Sequence, residues 1–229
     1  MKPIAYLAVH TLLAPAALGA PAMAARSWRI HLRQLPRQLD VGEQVVVRGR
    51  VENGGGGLAV VLQRRADGSW LPLAKDATKP NGAFTLRFPA PPAGRWEVRL
   101  KVTGRGRIVA QPAAGCTALC PPLFAAGRQR TVIQRLGLIE SFRPAVASWY
   151  GGPGPLACGG YLTAGTLGVA NRTLPCGTEI TLRYGNRTIR VPVIDRGPFV
   201  AGREFDLTEA TKEALGFPGL GVVWTTAPS

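Results

Sequence analysis

The sequence predicts a mostly β chain in two folded parts, and three observations carry that prediction. Short runs rich in β-branched and aromatic residues recur along the chain, several alternating apolar with polar residues as a half-buried strand must. Pairs suited to tight turns stand between them, among them Asp67-Gly68, Asn81-Gly82 and Gly185-Asn186. A single segment, Thr208 to Leu215, has the composition and the end signals of a helix. With 229 residues, 46% hydrophobic and 18% charged, the chain is suited to one or two packed cores, and a disordered polymer is excluded.

At the N-terminus, Lys2 precedes an apolar run from Ile4 to Gly19 and the small-residue pattern Ala22-Met23-Ala24. Residues 1–25 therefore read as a secretory signal peptide. The run is too short, and too interrupted by Pro15, to predict a membrane span. The mature protein is expected outside the cell membrane, secreted or in the wall, with no stable insertion. Its four cysteines, Cys116, Cys120, Cys158 and Cys176, form an even set that points to disulfides, and their spacing selects none of the three possible pairings. No metal or cofactor is expected: His31 is the one histidine after the signal peptide, and no Cys-x-x-Cys pair occurs. A Cys-His or Ser-His hydrolase lacks its imidazole base here.

Residues 26–111 carry the runs Val45–Val51, Ala59–Leu62, Ala83–Phe88 and Trp96–Val102, with no helical period between them. That spacing predicts an Ig-like or fibronectin-like β-sandwich of about seven strands. This half holds 16 Lys/Arg against 6 Asp/Glu, whereas residues 147–229 hold 7 against 6, so the formal net charge of +15 sits mainly in the N-terminal half. A basic surface attracts polyanions. No nucleic-acid-binding signature appears, and an exported protein meets anionic wall polymers instead. Residues 112–146 read as a Pro/Gly-rich linker and lead-in, with Thr131-Val132-Ile133 compatible with a strand.

From Ala147 the β pattern resumes. Ile180, Leu182 and Tyr184 alternate with polar residues, Gly185-Asn186 suits a two-residue hairpin, and Ile189, Val191 and Val193 share a face that Asp195 continues. Pro192 cannot donate to a ladder, which predicts an unpaired or bulged point. Thr208 caps the expected helix, Glu209 suits its positive end, and Gly216 closes it. A last strand spans Gly221 to Trp224.

Four motifs stand out in this half: Ala147-Ser148-Trp149-Tyr150-Gly151, Ala170-Asn171-Arg172-Thr173-Leu174-Pro175, Asp195-Arg196-Gly197-Pro198 and Glu204-Phe205-Asp206-Leu207-Thr208. In order and spacing they resemble the rare lipoprotein A (RlpA) family, related in fold to expansins. The resemblance implies a six-stranded double-psi β-barrel with one short helix over residues 147–229, acting on peptidoglycan glycan strands. It also implies Cys158 paired with Cys176, both within the barrel motifs, leaving Cys116 with Cys120.

Glycosidic cleavage uses a carboxylic acid to protonate the departing oxygen. Lytic transglycosylases use the sugar's own 6-hydroxyl as nucleophile, so one carboxyl can serve as acid and then as base. The resemblance assigns that role to Asp195, with Asp206, Asn171 and Arg196 in support and with Tyr150, Trp149, Arg172 and Gly197 contacting substrate. Arg196 has two readings, pairing with Asp195 or reaching a substrate carboxylate. Tyr161 and Phe199 offer further flat faces to sugar rings. Two positions depart from the family pattern: Gly160 stands for an acidic residue and Asn171 for a histidine. An amide donates hydrogen bonds but relays no proton. Two functions follow as expectations, transglycosylase-like cleavage and, as the alternative, a non-catalytic expansin-like glycan-binding or wall-loosening module.

Overall fold

The computed structural model describes residues 27–109 and 124–228; the expected signal peptide and both Cys116 and Cys120 lie outside the described residues. The described chain is mostly β with one helix. Among the described helices, none is long and apolar enough to cross a membrane.

The N-terminal half begins with β1 (Arg29–Leu32), β2 (Gln38–Asp40), β3 (Gln44–Glu52) and β4 (Ala59–Ala66). It continues with β5 (Ser69–Ala77), β6 (Ala83–Pro89), β7 (Gly94–Val109) and β8 (Phe124–Tyr150). Strands β1-β3-β6 make one sheet and β5-β4-β7-β8 another, with β2 lying parallel to β8. Alternation explains the pairing. Val45, Val47, Leu86 and Phe88 point inward from the first sheet and meet Val60, Leu62, Val98, Leu100 and Ile139 from the second, all nearly inaccessible. Asp67 (φ 48) and Gly68 (φ 76) supply the two left-handed residues that join Ala66 to Ser69. His31 sits on β1 at the surface, 3.2 Å from Glu52.

The segment expected as a lead-in behaves differently from that expectation. Residues 124–150 form one strand, β8, which follows β7 antiparallel from Gly94–Ser141 outward. Val132 and Leu136 pack on the N-terminal core and Ile139 lies inside it. A register shift beside Gly137 (φ +86) breaks the simple alternation that would have marked this strand in the sequence.

The second half adds β9 (Gly154–Pro155), β10 (Tyr161–Leu162), β11 (Val169–Ala170), β12 (Glu179–Tyr184) and β13 (Arg187–Asp195). After these come β14 (Phe205–Thr208), α1 (Glu209–Leu215) and β15 (Gly221–Thr225). Six strands run in the order β14-β11-β13-β12-β15-β8, and a parallel pairing of β14 with β8 closes the ring. Closure leaves no free edge within the ring. Ala147, Val169, Ile180, Leu182, Val191, Val193, Phe205, Leu207 and Val223 fill it. The helix is capped as its sequence predicts: the Thr208 hydroxyl accepts from Thr211 N at 3.2 Å, and Gly216 (φ 68) donates to Glu213 O at 3.0 Å.

The halves meet along a polar seam beside β8. Arg183 on β12 pairs with Asp40 on β2 and covers the rings of Phe142 and Trp224. Thr181 donates to Glu140 at 2.9 Å, and Glu140 also pairs with Arg95 at 3.0 Å. Phe205, fully enclosed in the barrel, anchors the closing strand. Phe205→Ala should cost about 3–5 kcal/mol, read as a lower urea midpoint at unchanged slope.

Candidate active site

Asp195 owes its position to an irregularity in β13. Val169 faces Val193, but the next residue, Ala170, faces Asp195, so Ile194 is an extra residue in the ladder. The Ile194 side chain lies over Gly168, where an added Cβ would sit 2.4 Å from Ile194 Cδ1. Only glycine leaves room for that bulge. Pro192 stands at the end of the β12 pairing, opposite Glu179, where a missing donor costs little.

Across the sheet, Asp195, Ala170, Asp206 and Ser148 are successive partners on β13, β11, β14 and β8. Residues in register point to one side, so the two aspartates flank a methyl group rather than a bulky side chain. Both aspartates are half-buried. The Ser148 hydroxyl donates to Asp206 Oδ1. Asp195 Oδ1 accepts two backbone N–H bonds, from Ala157 at 2.9 Å and from Arg196 at 2.8 Å. These fix the carboxylate from one side, and among the described residues no backbone donor reaches Oδ2.

Tyr150 lies two residues beyond Ser148, on the same side of β8. Its hydroxyl is buried and makes no hydrogen bond of good geometry with any described residue. Burial raises its pKa well above the usual 10; the nearby charge of Asp195, a hydrogen-bonding influence from the same carboxylate and the charge of Asp206 push it further the same way. The phenol is therefore a neutral donor held between two carboxylates.

The remaining sequence candidates divide by what they touch. Asn171 is buried and occupied internally: its Oδ1 accepts from Thr173 N at 3.0 Å and Leu174 N at 2.8 Å, and its Nδ2 donates to Glu204 O at 3.1 Å. Arg196 does not pair with Asp195. Its guanidinium donates to the carbonyls of Asn171 (3.0 Å) and Leu174 (2.8 Å) and to Cys176 Sγ (3.0 Å), holding the 171–176 turn in place. Cys158 and Cys176 form a disulfide, with Cα atoms 5.5 Å apart, and Cys158 N donates to Ile194 O at 3.2 Å. The two loops beside Asp195 are thus tied to each other and to β13.

Trp149 alternates to the face opposite Tyr150 and lies against Gly219 and under Lys212, whose Nζ is 4.0 Å from the ring centroid. It packs beside the helix, away from the aspartates. Phe199, 83% exposed, follows Gly197-Pro198 and rests over Gly197, within 4 Å of where a Cβ would lie; Asp206 Oδ2 is equally close. Tyr161, 60% exposed, stands on the β9–β10 hairpin that leads from the Ala157 side. Gly160 (φ +86) has open space around it. Arg172 is exposed and lines an open groove of roughly 680 Å³ on the far side of the 171–174 turn; Asp195 is not in the wall of that groove. Sequence reasoning passed over Ser148, Ala170 and the Ala157 amide. Ser148 was legible from its parity with Tyr150, whereas the amide has no sequence signal.

A family model described as lytic transglycolase matches residues 144–226. The C-terminal part of the chain is an RlpA-like double-psi β-barrel. Similar curated proteins include the probable endolytic peptidoglycan transglycosylase RlpA of Synechocystis sp., 38% identical over 37% of this chain and 28% of its own length. The Aquifex aeolicus protein of the same name is 39% identical over 34% of this chain and 36% of its own. The endolytic peptidoglycan transglycosylase RlpA of Rickettsia bellii is 34% identical over 33% and 37%. The match thus spans about a third of these relatives' own length.

Tyr150→Phe in this barrel removes a buried hydroxyl with no hydrogen-bond partner among the described residues. Folding stability at neutral pH should hold or rise by up to about 1 kcal/mol. Because the folded state keeps the Tyr150 proton to higher pH than the unfolded chain does, wild-type stability falls as pH rises past 10. The variant should lose less over that range, measured as urea midpoints from pH 8 to 11.

Proposed function

We propose that the barrel engages peptidoglycan glycan strands and cleaves them as a lytic transglycosylase, with Asp195 as acid and then base. The observation that carries this reading is the gathering of Asp195, Asp206 and the Tyr150 hydroxyl on one side of the neighbouring strands β13, β11, β14 and β8, with Phe199 exposed beside Gly197 and Asp206. In the proposed reaction Asp195 protonates the glycosidic oxygen as its bond to C1 breaks. The 6-hydroxyl of the same sugar then attacks C1 and returns its proton to Asp195, leaving a 1,6-anhydro end. Tyr150 donates a hydrogen bond without ionising, and Asp206, steadied by Ser148, places negative charge near the positive charge that develops on the ring. Phe199 and Tyr161 supply stacking faces for adjacent sugars. The names of the relatives support the same substrate.

The N-terminal half, in this reading, is an Ig-like module of an exported protein whose basic surface holds it on anionic wall polymers. A glycan-binding or wall-loosening role without cleavage is the second reading. Gly160 and the internally occupied Asn171 favour it, since they remove both further groups of the family pattern.

One digest decides between the two. Wall sacculi treated with the protein should release 1,6-anhydro muropeptides by mass spectrometry, and Asp195→Asn should lower that release by at least ~10². No release from wild type, with sacculus binding retained, would establish the non-catalytic reading. Replacing exposed basic residues of that half, Arg48, Arg50, Lys75 and Arg87, with Gln should weaken retention on sacculi most at low salt, because exposed charges are screened beyond about 10 Å at 0.1 M; pelleting across a salt series measures it.

A further inference from the structure

The two sheets of the N-terminal half end close together in strands that have, among the described residues, one neighbour each. On one sheet β1 pairs with β3 alone. On the other, residues 131–136 of β8 pair with β7 alone, and β2 joins β8 only at Glu140. Such an edge presents a row of unused N–H and C=O groups. At its far end the Arg37 guanidinium already donates as a strand would, to the carbonyls of Leu136 and Leu138. Between the two edges lies a slot of roughly 350 Å³, lined by Leu32, Leu35 and Leu136 with Gln134 among them. Gln134 Oε1 is buried and accepts no hydrogen bond from any described residue. A buried acceptor left without a donor carries a desolvation cost that a bound donor removes. Charge beside the slot has one sign. Arg29 and Arg33 near one edge and Arg130 and Arg135 on the other are exposed and join no ion pair among the described residues. The carboxylate of Glu52, opposite Arg29 on β3, already meets His31 at 3.2 Å.

We infer that this slot receives an extended segment of a partner protein, in which small side chains alternate with aspartate or glutamate. Laid beside β8, the segment continues the sheet through main-chain hydrogen bonds. Its side chains then point alternately to opposite faces. One set enters between the sheets over Leu32 and Leu136, and a threonine hydroxyl within it supplies the missing donor to Gln134. The other set stands outside, beside Arg135. Two other occupants fit less well. A second copy of this chain brings a formal charge of +15 and equally basic edges, so the copies repel. A bare polyanion has no apolar groups with which to cover the leucines. The N-terminal half thereby holds the barrel beside a second protein, and this role is independent of the chemistry at Asp195.

The test is titration of the mature chain with the peptide Ac-Asp-Val-Glu-Thr-Asp-Val-Glu-NH2, read by calorimetry and by amide hydrogen exchange. Binding should saturate, slow exchange at residues 131–136 and leave the barrel amides unchanged. Arg135→Glu, a change at an exposed position, should weaken binding about tenfold. Two control peptides leave the protein unaltered, so no variant's folding decides the outcome. One has the same composition in blocks, Asp-Glu-Asp-Glu-Val-Thr-Val, and the other is N-methylated at alternate residues. Each should bind at least about tenfold more weakly. Absence of binding, equal binding of either control, or protection confined to other strands would overturn the inference. So would inorganic polyphosphate protecting the same amides, which would assign the slot to a polyanion. A concentration-dependent dimer in sedimentation, with those amides protected, would assign it to a second copy and overturn the inference as well.

Discussion

The structure depends on one strand serving two sheets. Residues 124–150 form β8, whose earlier part ladders with β7 in the N-terminal half. Its last residues pair with β15 on one side and β14 on the other. The parallel pairing with β14 closes the ring, and it also brings Ser148 opposite Asp206. A one-residue slip there would turn Ser148 and Tyr150 to the other face and bring Trp149 in their place. The arrangement around the aspartates is therefore a matter of register before it is one of side-chain chemistry. Ala147, Phe205, Leu207 and Val223, all inaccessible, hold that register by filling the ring.

A second layer of constraint surrounds the Asp195 carboxylate. The disulfide joins the loop that carries the Ala157 amide to the turn that carries Asn171, and Arg196 fastens the same turn from behind through two carbonyls. Asn171 completes the turn from within. Where the family pattern places a histidine, this chain has spent the position on rigidity. The polar group that remains beside Asp195 is the Tyr150 phenol, which burial and two negative neighbours keep protonated. Chemistry here would rest on one carboxylate, placed with little freedom.

How much of this was legible in the sequence follows from which interactions are local. The helix was, because Thr208, Glu209 and Gly216 signal its ends within eight residues. The Asp67-Gly68 and Gly185-Asn186 turns were, because left-handed angles demand such residues. Cys158 and Cys176 followed from the family motifs. The course of β8 was not, since Gly137 interrupts its alternation and its partners are distant along the chain. Opposite roles for Trp149 and Tyr150 were implicit in strand parity, but the motif encouraged reading them together. Arg196 had two readings, pairing with Asp195 or reaching a substrate carboxylate, whereas its actual partners are carbonyls more than twenty residues away. The resemblance named candidate residues, and the pairing of strands shows which of them lie together.

The shared strand also shapes how the molecule carries mechanical load. Tension between the two halves runs lengthwise along β8, perpendicular to its antiparallel hydrogen bonds with β7. Bonds loaded in this shearing sense bear the pull together and do not open one after another like a zipper. Arg183, paired with Asp40 beside the crossing point, pins the two halves together where they share that strand.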